Sequence, residues 1–279
     1  DPKMTAADAA RLRTLYGLDL PLYQRYLNWL TAALSGDLGY SRLFGQPVLD
    51  VLFPALRNSL TLLGTAFAMA VVIAIPLGTF AASKPRSATD YSVNLLAFAG
   101  ISIPSFWLAL MLIMFFSVHL GWLPAGGIAP DGSGFFESLR YVVLPAITLT
   151  IVSIGSYSRY VRSSMLEVLR QDYIRTAKAK WASSMRIVWL HGLRNAMIPV
   201  VTILALDFGF LFSGALVTET IFSWPGMGKL IFDAVMGNDF NLALVALLFA
   251  TAVTLTGNLL ADLCYAWLDP RIVVGGDET

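Results

Sequence analysis

An all-α bundle of membrane-spanning helices is the fold class this sequence predicts, and three observations carry the prediction. Of the 279 residues, 57% are hydrophobic and only 13% charged, with a mean hydropathy of +0.68. That lies well outside the composition of a globular domain, which must keep a polar surface. Five apolar segments approach or exceed the roughly 20 residues a helix needs to cross the hydrocarbon with its backbone polar groups satisfied internally. The alternation of apolar and polar residues that a membrane barrel requires is absent from them.

Ahead of the first segment, Pro21-Leu22-Tyr23-Gln24-Arg25-Tyr26-Leu27-Asn28-Trp29-Leu30 reads as a short amphipathic helix lying at the membrane surface. Gly36, Gly39 and Gly45 break the next stretch of chain into turns. Residues 1–50 contain no signal-peptide apolar region. The first two spans, 59–82 and 91–118, hold no Asp, Glu, Lys or Arg, and the third, 141–158, is shorter. The fourth, 195–218, carries Asp207, and the fifth, 240–268, carries Asp262 near its end. Pro76, Pro104, Pro145 and Pro199 each remove a backbone hydrogen bond from a span. They fit ordinary membrane-helix composition and a gating role equally well. The single cysteine, Cys264, lies in the last span and excludes an intramolecular disulfide.

Residues 159–194 form a strongly basic connection between two spans. Arg159, Arg162, Arg170, Arg175, Lys178, Lys180, Arg186 and Arg194 stand against Glu167 and Asp172, so eight positives less two negatives leave +6. An excess of Lys and Arg beside short loops marks the cytoplasmic side. The connection 84–90, with Lys84 and Arg86, and the tail 269–279 then lie inside. The connections 119–140 and 219–239 and the N-terminal segment lie outside. The domain reading is an outer N-terminal segment 1–55, a transmembrane domain 56–268 and a cytoplasmic tail 269–279. Net charge is only +1, so the basic connection is a local asymmetry and nucleic-acid binding is not expected. Within it, Ile174, Ala177, Trp181, Met185 and Val188 recur at three- and four-residue spacing. That pattern predicts an amphipathic helix, which could dock in the groove of a cytoplasmic partner or simply lie on lipid.

Order narrows the choice. Asp172-Tyr173-Ile174-Arg175-Thr176-Ala177-Lys178-Ala179-Lys180, followed by His191-Gly192-Leu193-Arg194-Asn195-Ala196-Met197-Ile198-Pro199, resembles the cytoplasmic EAA loop of binding-protein-dependent ABC importer permeases of the dipeptide, oligopeptide and nickel subfamily. Further stretches match in order. Asp1-Pro2 resembles the end of the family's GDP element, and Gly17-Leu18-Asp19, Pro21-Leu22-Tyr23 and Gly36-Asp37-Leu38-Gly39 resemble its outer segment. Ser102-Ile103-Pro104-Ser105-Phe106-Trp107-Leu108, Gly121-Trp122-Leu123-Pro124, Phe222-Ser223-Trp224-Pro225-Gly226-Met227-Gly228 and Trp267-Leu268-Asp269-Pro270-Arg271 come after them. The chain departs from the family at Trp181, where relatives usually carry glycine after the Ala-Lys pair. The tight turn that glycine permits is then in question, and the indole becomes a candidate anchor for a partner groove.

The resemblance implies the ABC transporter type-1 fold with five of the family's six spans present and its first span missing from the sequence as given. It implies a permease subunit of an ATP-driven bacterial inner-membrane importer for peptides, or alternatively for nickel, nickel chelates or glutathione. Its implied partners are a second, homologous permease, two cytoplasmic ATPases and a periplasmic solute-binding protein. ATP and Mg would be held by the ATPases, and this chain would hold no cofactor or metal and do no chemistry. The loop residues implied to couple to the ATPases are Arg175, Thr176, Ala177, Lys178, Lys180, Trp181, Met185, Arg186 and His191.

The residues themselves agree with a chain that does not hydrolyse nucleotide. Gly226-Met227-Gly228-Lys229-Leu230 lacks the first glycine of a phosphate-binding loop and the Ser or Thr after Lys. Neither a zinc-protease motif nor a nucleophile elbow is present. An ion-coupled secondary transporter, the alternative of another class, usually needs several intramembrane ionisable groups, whereas Asp207 alone is central to a span. Asp207 is therefore a candidate for the translocation path, together with Ser102 and Ser105. Its competing reading is a protonated or hydrogen-bonded carboxyl at a helix interface. Glu219, at the outer end of the fourth span, either gates the outer vestibule or sits among headgroups, and the second is the expectation. Ser59 is expected to support helix contacts, and His191 to cap or contact a helix end.

Overall fold

The computed structural model describes residues 19–181 and 183–268, with positions 5, 7, 11, 14 and 17 ahead of them. Asp1-Pro2, the tail 269–279 and the side chains of Asp262 and Cys264 lie outside the described residues. Helix α1 (Leu22–Leu34) is followed by a minimal hairpin, β1 (Tyr40–Ser41) and β2 (Gln46–Pro47), paired antiparallel. Then come α2 (Val48–Ser83), α3 (Ala88–Ser102), α4 (Ser105–Leu112) continuing as a π-helical turn (Ile113–His119), and α5 (Phe135–Val168). The basic connection holds α6 (Asp172–Ala179) and a second π-helical turn (Arg186–Gly192). Helices α7 (Leu193–Ile221), α8 (Met227–Met236) and α9 (Phe240–Leu268) complete the chain.

Among the described residues four helices are long and apolar enough to cross a membrane, or five if the bent pair α3 and α4 is one span. That pair is the second span expected from the sequence, broken at one of its prolines. Its two halves meet at 96°. The cause is Pro104, which has no N–H to give and drives Ile103 before it into extended backbone (φ −81°, ψ 122°). Pro54, Pro76, Pro145 and Pro199 stay inside continuous helices. Proline is tolerated inside membrane helices, and of these five prolines Pro104 alone sits at a helix break.

The third span is also longer than predicted: α5 has 34 residues, or about 51 Å of helix against roughly 30 Å of hydrocarbon. Arg159 and Arg162 lie in its last third, past the apolar run 141–158. Helix α2 has 36 residues and packs on α5 along a stripe of small side chains, Ala66, Ala70, Ala74 and Gly78, repeating every four residues. A Cβ at Gly78 would stand 2.5 Å from the carbonyl oxygen of Ser158, and one at Gly155 would stand 2.5 Å from that of Ala97. Small residues thus set the α2–α5 and α3–α5 spacing, as they do wherever helices associate without a hydrophobic force between them. Thr150 fastens the first pair by donating from Oγ1 to the Ala66 carbonyl at 3.2 Å.

Candidate functional site

The basic end of the bundle is built on α5. Asp90, 3% exposed and in the first turn of α3, receives two bonds from Arg162: Nε to Oδ1 at 2.6 Å and an Nη to Oδ2 at 2.8 Å. The backbone N–H of Arg86 and the amide of Asn94 also donate to Asp90, at 2.9 and 2.8 Å. A bidentate, four-bonded carboxylate is a fixed joint between α3 and α5. Arg159 lies over the Phe98 ring at 5.3 Å, and Ser164 donates to the Ala196 carbonyl at 2.7 Å. Three spans, α3, α5 and α7, are therefore tied together next to the basic connection. Sequence reasoning counted Arg162 only as topology and missed Asp90. The capping order Ser87-Ala88-Thr89-Asp90 was the available signal, since Ser87 Oγ accepts from the Asp90 N–H at 3.3 Å.

Helix α6 leaves this platform. It packs on the second π-helical turn, with Ile174 fully buried and Ala177 half-buried. Arg175, Thr176, Lys178 and Lys180 point outward. Thr176 Oγ1 donates to the Asp172 carbonyl at 3.0 Å, and Arg175 pairs with Asp172 at 3.1 Å in full solvent. The single amphipathic helix expected over Ile174 to Val188 is not formed. It breaks after Ala179, because Trp181 adopts φ +59°, a left-handed backbone that ends a helix and that glycine takes without penalty. The chain then turns back, with Ile187 buried and Val188 half-buried, while Met185 (68%) and Trp181 (95%) stay exposed. Arg186 is exposed and donates its N–H to Ser183 Oγ at 3.3 Å. His191 is half-buried in the π-helical turn, its carbonyl accepting from Asn195 at 2.8 Å. Between α2, α5 and this connection opens a cleft of about 550 Å³ lined by Pro85, Leu166, Leu169, Lys178, Trp181 and Ile187.

Ser102 and Ser105 flank the bend at Pro104, the first exposed and the second half-buried. Asp207 is half-buried in α7. No hydrogen bond joins it to either serine among the described residues.

The opposite end corrects the reading of Glu219. Rather than sitting in headgroups it is fully buried. It accepts from Ser59 Oγ at 2.5 Å and from the Lys229 N–H at 3.1 Å, while Ser59 Oγ in turn accepts from the Met227 N–H at 2.8 Å. Trp224, 4% exposed, donates its indole N–H to the Asn58 carbonyl at 3.1 Å, and Asn58 donates to that of Pro225 at 3.0 Å. Glycine is required beside this network, since a Cβ at Gly226 would stand 2.2 Å from Glu219 Oε1. Nearby, Asp239 is 2% exposed and holds the hairpin to α8 and α9. Burial pushes its carboxyl up, but bonds from the Leu43 N–H, the Ser41 hydroxyl and the Leu242 N–H outweigh that and hold it below the usual range.

Residues 74–274 match the family described as the binding-protein-dependent transport system inner membrane component. The chain belongs to that family. It is a multi-pass inner-membrane permease component, with the fold expected for one. It is 41% identical over 275 residues to the oligopeptide transport system permease protein AppB of Bacillus subtilis (strain 168), covering 98% of this chain and 87% of that protein. It is 38% identical over 286 residues to the dipeptide transport system permease protein DppB of Escherichia coli (strain K12), covering 94% and 84%. Among solved structures, an inward-facing conformation of the MetNI methionine ABC transporter aligns with a TM-score of 0.66 and 18% identity, over 78% of this chain and 96% of that one. That likeness supports the type-1 fold alone.

Proposed function

We propose that this protein is the permease subunit of an ATP-driven importer that moves peptides inward across the bacterial inner membrane. The similarity to peptide permeases over nearly the whole chain carries this reading. The basic end faces the cytoplasm. There the outward side of α6 with Arg175, Lys178 and Lys180, and beyond it Trp181 and Met185, form the seat for an ATPase subunit. ATP and Mg belong to the two ATPases, a second permease completes the path, and a periplasmic binding protein delivers the substrate. Movement of α6 is passed to the π-helical turn it packs on and so to α7, and from α5, which packs on α7, to α3 through the Asp90–Arg162 pair. Helix α3 ends at the Pro104 bend, so a tilt of α3 moves Ser102 and Ser105 at mid-depth.

The test is co-purification with the neighbouring subunits and uptake of labelled peptide into sealed vesicles, ATP being supplied on the α6 side. Uptake that needs ATP, the ATPases and the binding protein is expected. Ion-driven uptake by this chain alone would overturn the proposal.

A further inference from the structure

The cleft beside the basic connection lies where the first span leaves the hydrocarbon. The apolar run 59–82 ends at it, since Ala82 and Ser83 belong to its lining. Leu166, Leu169, Ile187 and Val188 give it apolar walls, and Arg170 and Lys178 line it as well. Among the described residues no Asp or Glu does. The other cations of this end of α5 are engaged, Arg159 over Phe98 and Arg162 on Asp90. Of the two acids in the connection, Asp172 pairs with Arg175, and Glu167 is exposed outside the cleft. Among the described residues no hydrogen bond or ion pair is seen at the side chain of Arg170 or Lys178.

A cleft of about 550 Å³ falls within the size range of ligand sites, and its lining asks for an anion and apolar surface in one molecule. A free inorganic anion would leave the leucine walls wetted. An acyl chain alone would leave two cations without a counter-charge. An acidic surface of the ATPase would meet the seat proposed above, but Arg175, Lys180 and Met185 of that seat are not in the lining. A phospholipid with an anionic headgroup supplies both parts, and such lipids collect at basic pockets on the cytoplasmic side of a membrane. We infer that the cleft holds one anionic phospholipid of the cytoplasmic leaflet, its phosphate accepting from Arg170 and Lys178 and its glycerol end resting on Leu166, Leu169, Ile187 and Val188. The inference rests on the importer reading only for placing the basic end in the cytoplasm.

The experiment uses the assembled importer, ATPases included, in nanodiscs of phosphatidylcholine. A trace of phosphatidylglycerol carrying a photoreactive group near the top of its acyl chain is added, or phosphatidylcholine carrying the same group, and labelled residues are mapped by peptide mass spectrometry. Label on residues 166–169 or 187–188 should be at least about fivefold stronger from the phosphatidylglycerol probe, the worth of one basic side chain beside an anionic headgroup. Unlabelled phosphatidylglycerol should compete it away and inorganic phosphate should not. Arg170→Gln should weaken the label by at least about fivefold, Arg170→Lys should keep it, and Arg194→Gln, which removes an exposed cation outside the cleft, should leave it unchanged. Equal labelling by the two probes, competition by inorganic phosphate, equal loss in Arg170→Gln and Arg194→Gln, or label that comes only when the ATPases are stripped away would each overturn the inference. The wild-type comparisons decide the matter even if a variant fails to assemble. Cleft labelling in a complex without ATP-driven peptide uptake would strike the importer reading and not the lipid site.

Discussion

Trp181 combines two unfavourable states, a left-handed backbone and a 95% exposed indole. A non-glycine residue in that conformation costs about 1 kcal/mol. Trp181→Gly is therefore expected to raise the melting temperature in detergent while weakening ATPase co-purification. A variant that is more stable yet docks normally would remove the indole from the interface. The Asp90–Arg162 pair acts in the opposite sense. Arg162→Ala strands a carboxylate that is 4% exposed at its side chain and should destabilise the fold by about 3 kcal/mol, the lower end for a broken buried pair. Thermal unfolding in detergent measures it. The Ser87 cap marks the helix start at Asp90 but not Arg162 as its partner, and nothing around Glu219 in the chain shows whether it meets water or a buried hydroxyl.

Elements depend on such contacts in different degrees. Helices α2 and α5 approach through Ala66, Ala70, Ala74 and Gly78, so Gly78→Leu should separate them and abolish folded protein on size-exclusion chromatography. Gly64 lies on an open face of the same helix, with nothing within 4 Å of an added Cβ, and Gly64→Ala is the control that should fold normally. The hairpin behaves as a pH-sensitive attachment. Asp239 has a folded-state pKa below its unfolded value, so its stabilisation is complete above about pH 4 and is lost as pH falls through the lower, folded value. Hydrogen exchange at Leu43 and Leu242 should rise on acidification through that range. Asp239→Asn should show the faster exchange already at neutral pH. Spans were legible in the sequence because apolar length alone decides them. Where α6 would stop was not, since the three- and four-residue spacing of Ile174 to Val188 continues smoothly through Trp181 while the backbone does not.

At the scale of the molecule, the joints sit at the two ends and the small-residue packing lies between them. Asp90–Arg162 and Ser164 tie the basic end together, and Glu219, Ser59 and Trp224 tie the other. Under the proposed mechanism such an arrangement would move as rigid pieces about the Pro104 bend. Tethering α3 to α4 across that bend with an engineered disulfide in the assembled importer should therefore stop peptide uptake while leaving ATPase co-purification intact. Reduction of the bond should restore uptake.

The sequence by itself determined the membrane location, the helical class and the family, because these depend on composition, local chemistry and ordered motifs. Tertiary structure alone decided that Glu219 is buried, that Asp90 holds Arg162, and that Pro104 breaks its span while Pro76, Pro145 and Pro199 do not. Each of these turns on which helix lies alongside. In a bundle, partners 72 or 160 residues apart become neighbours only when the spans pack, and local sequence carries no record of that.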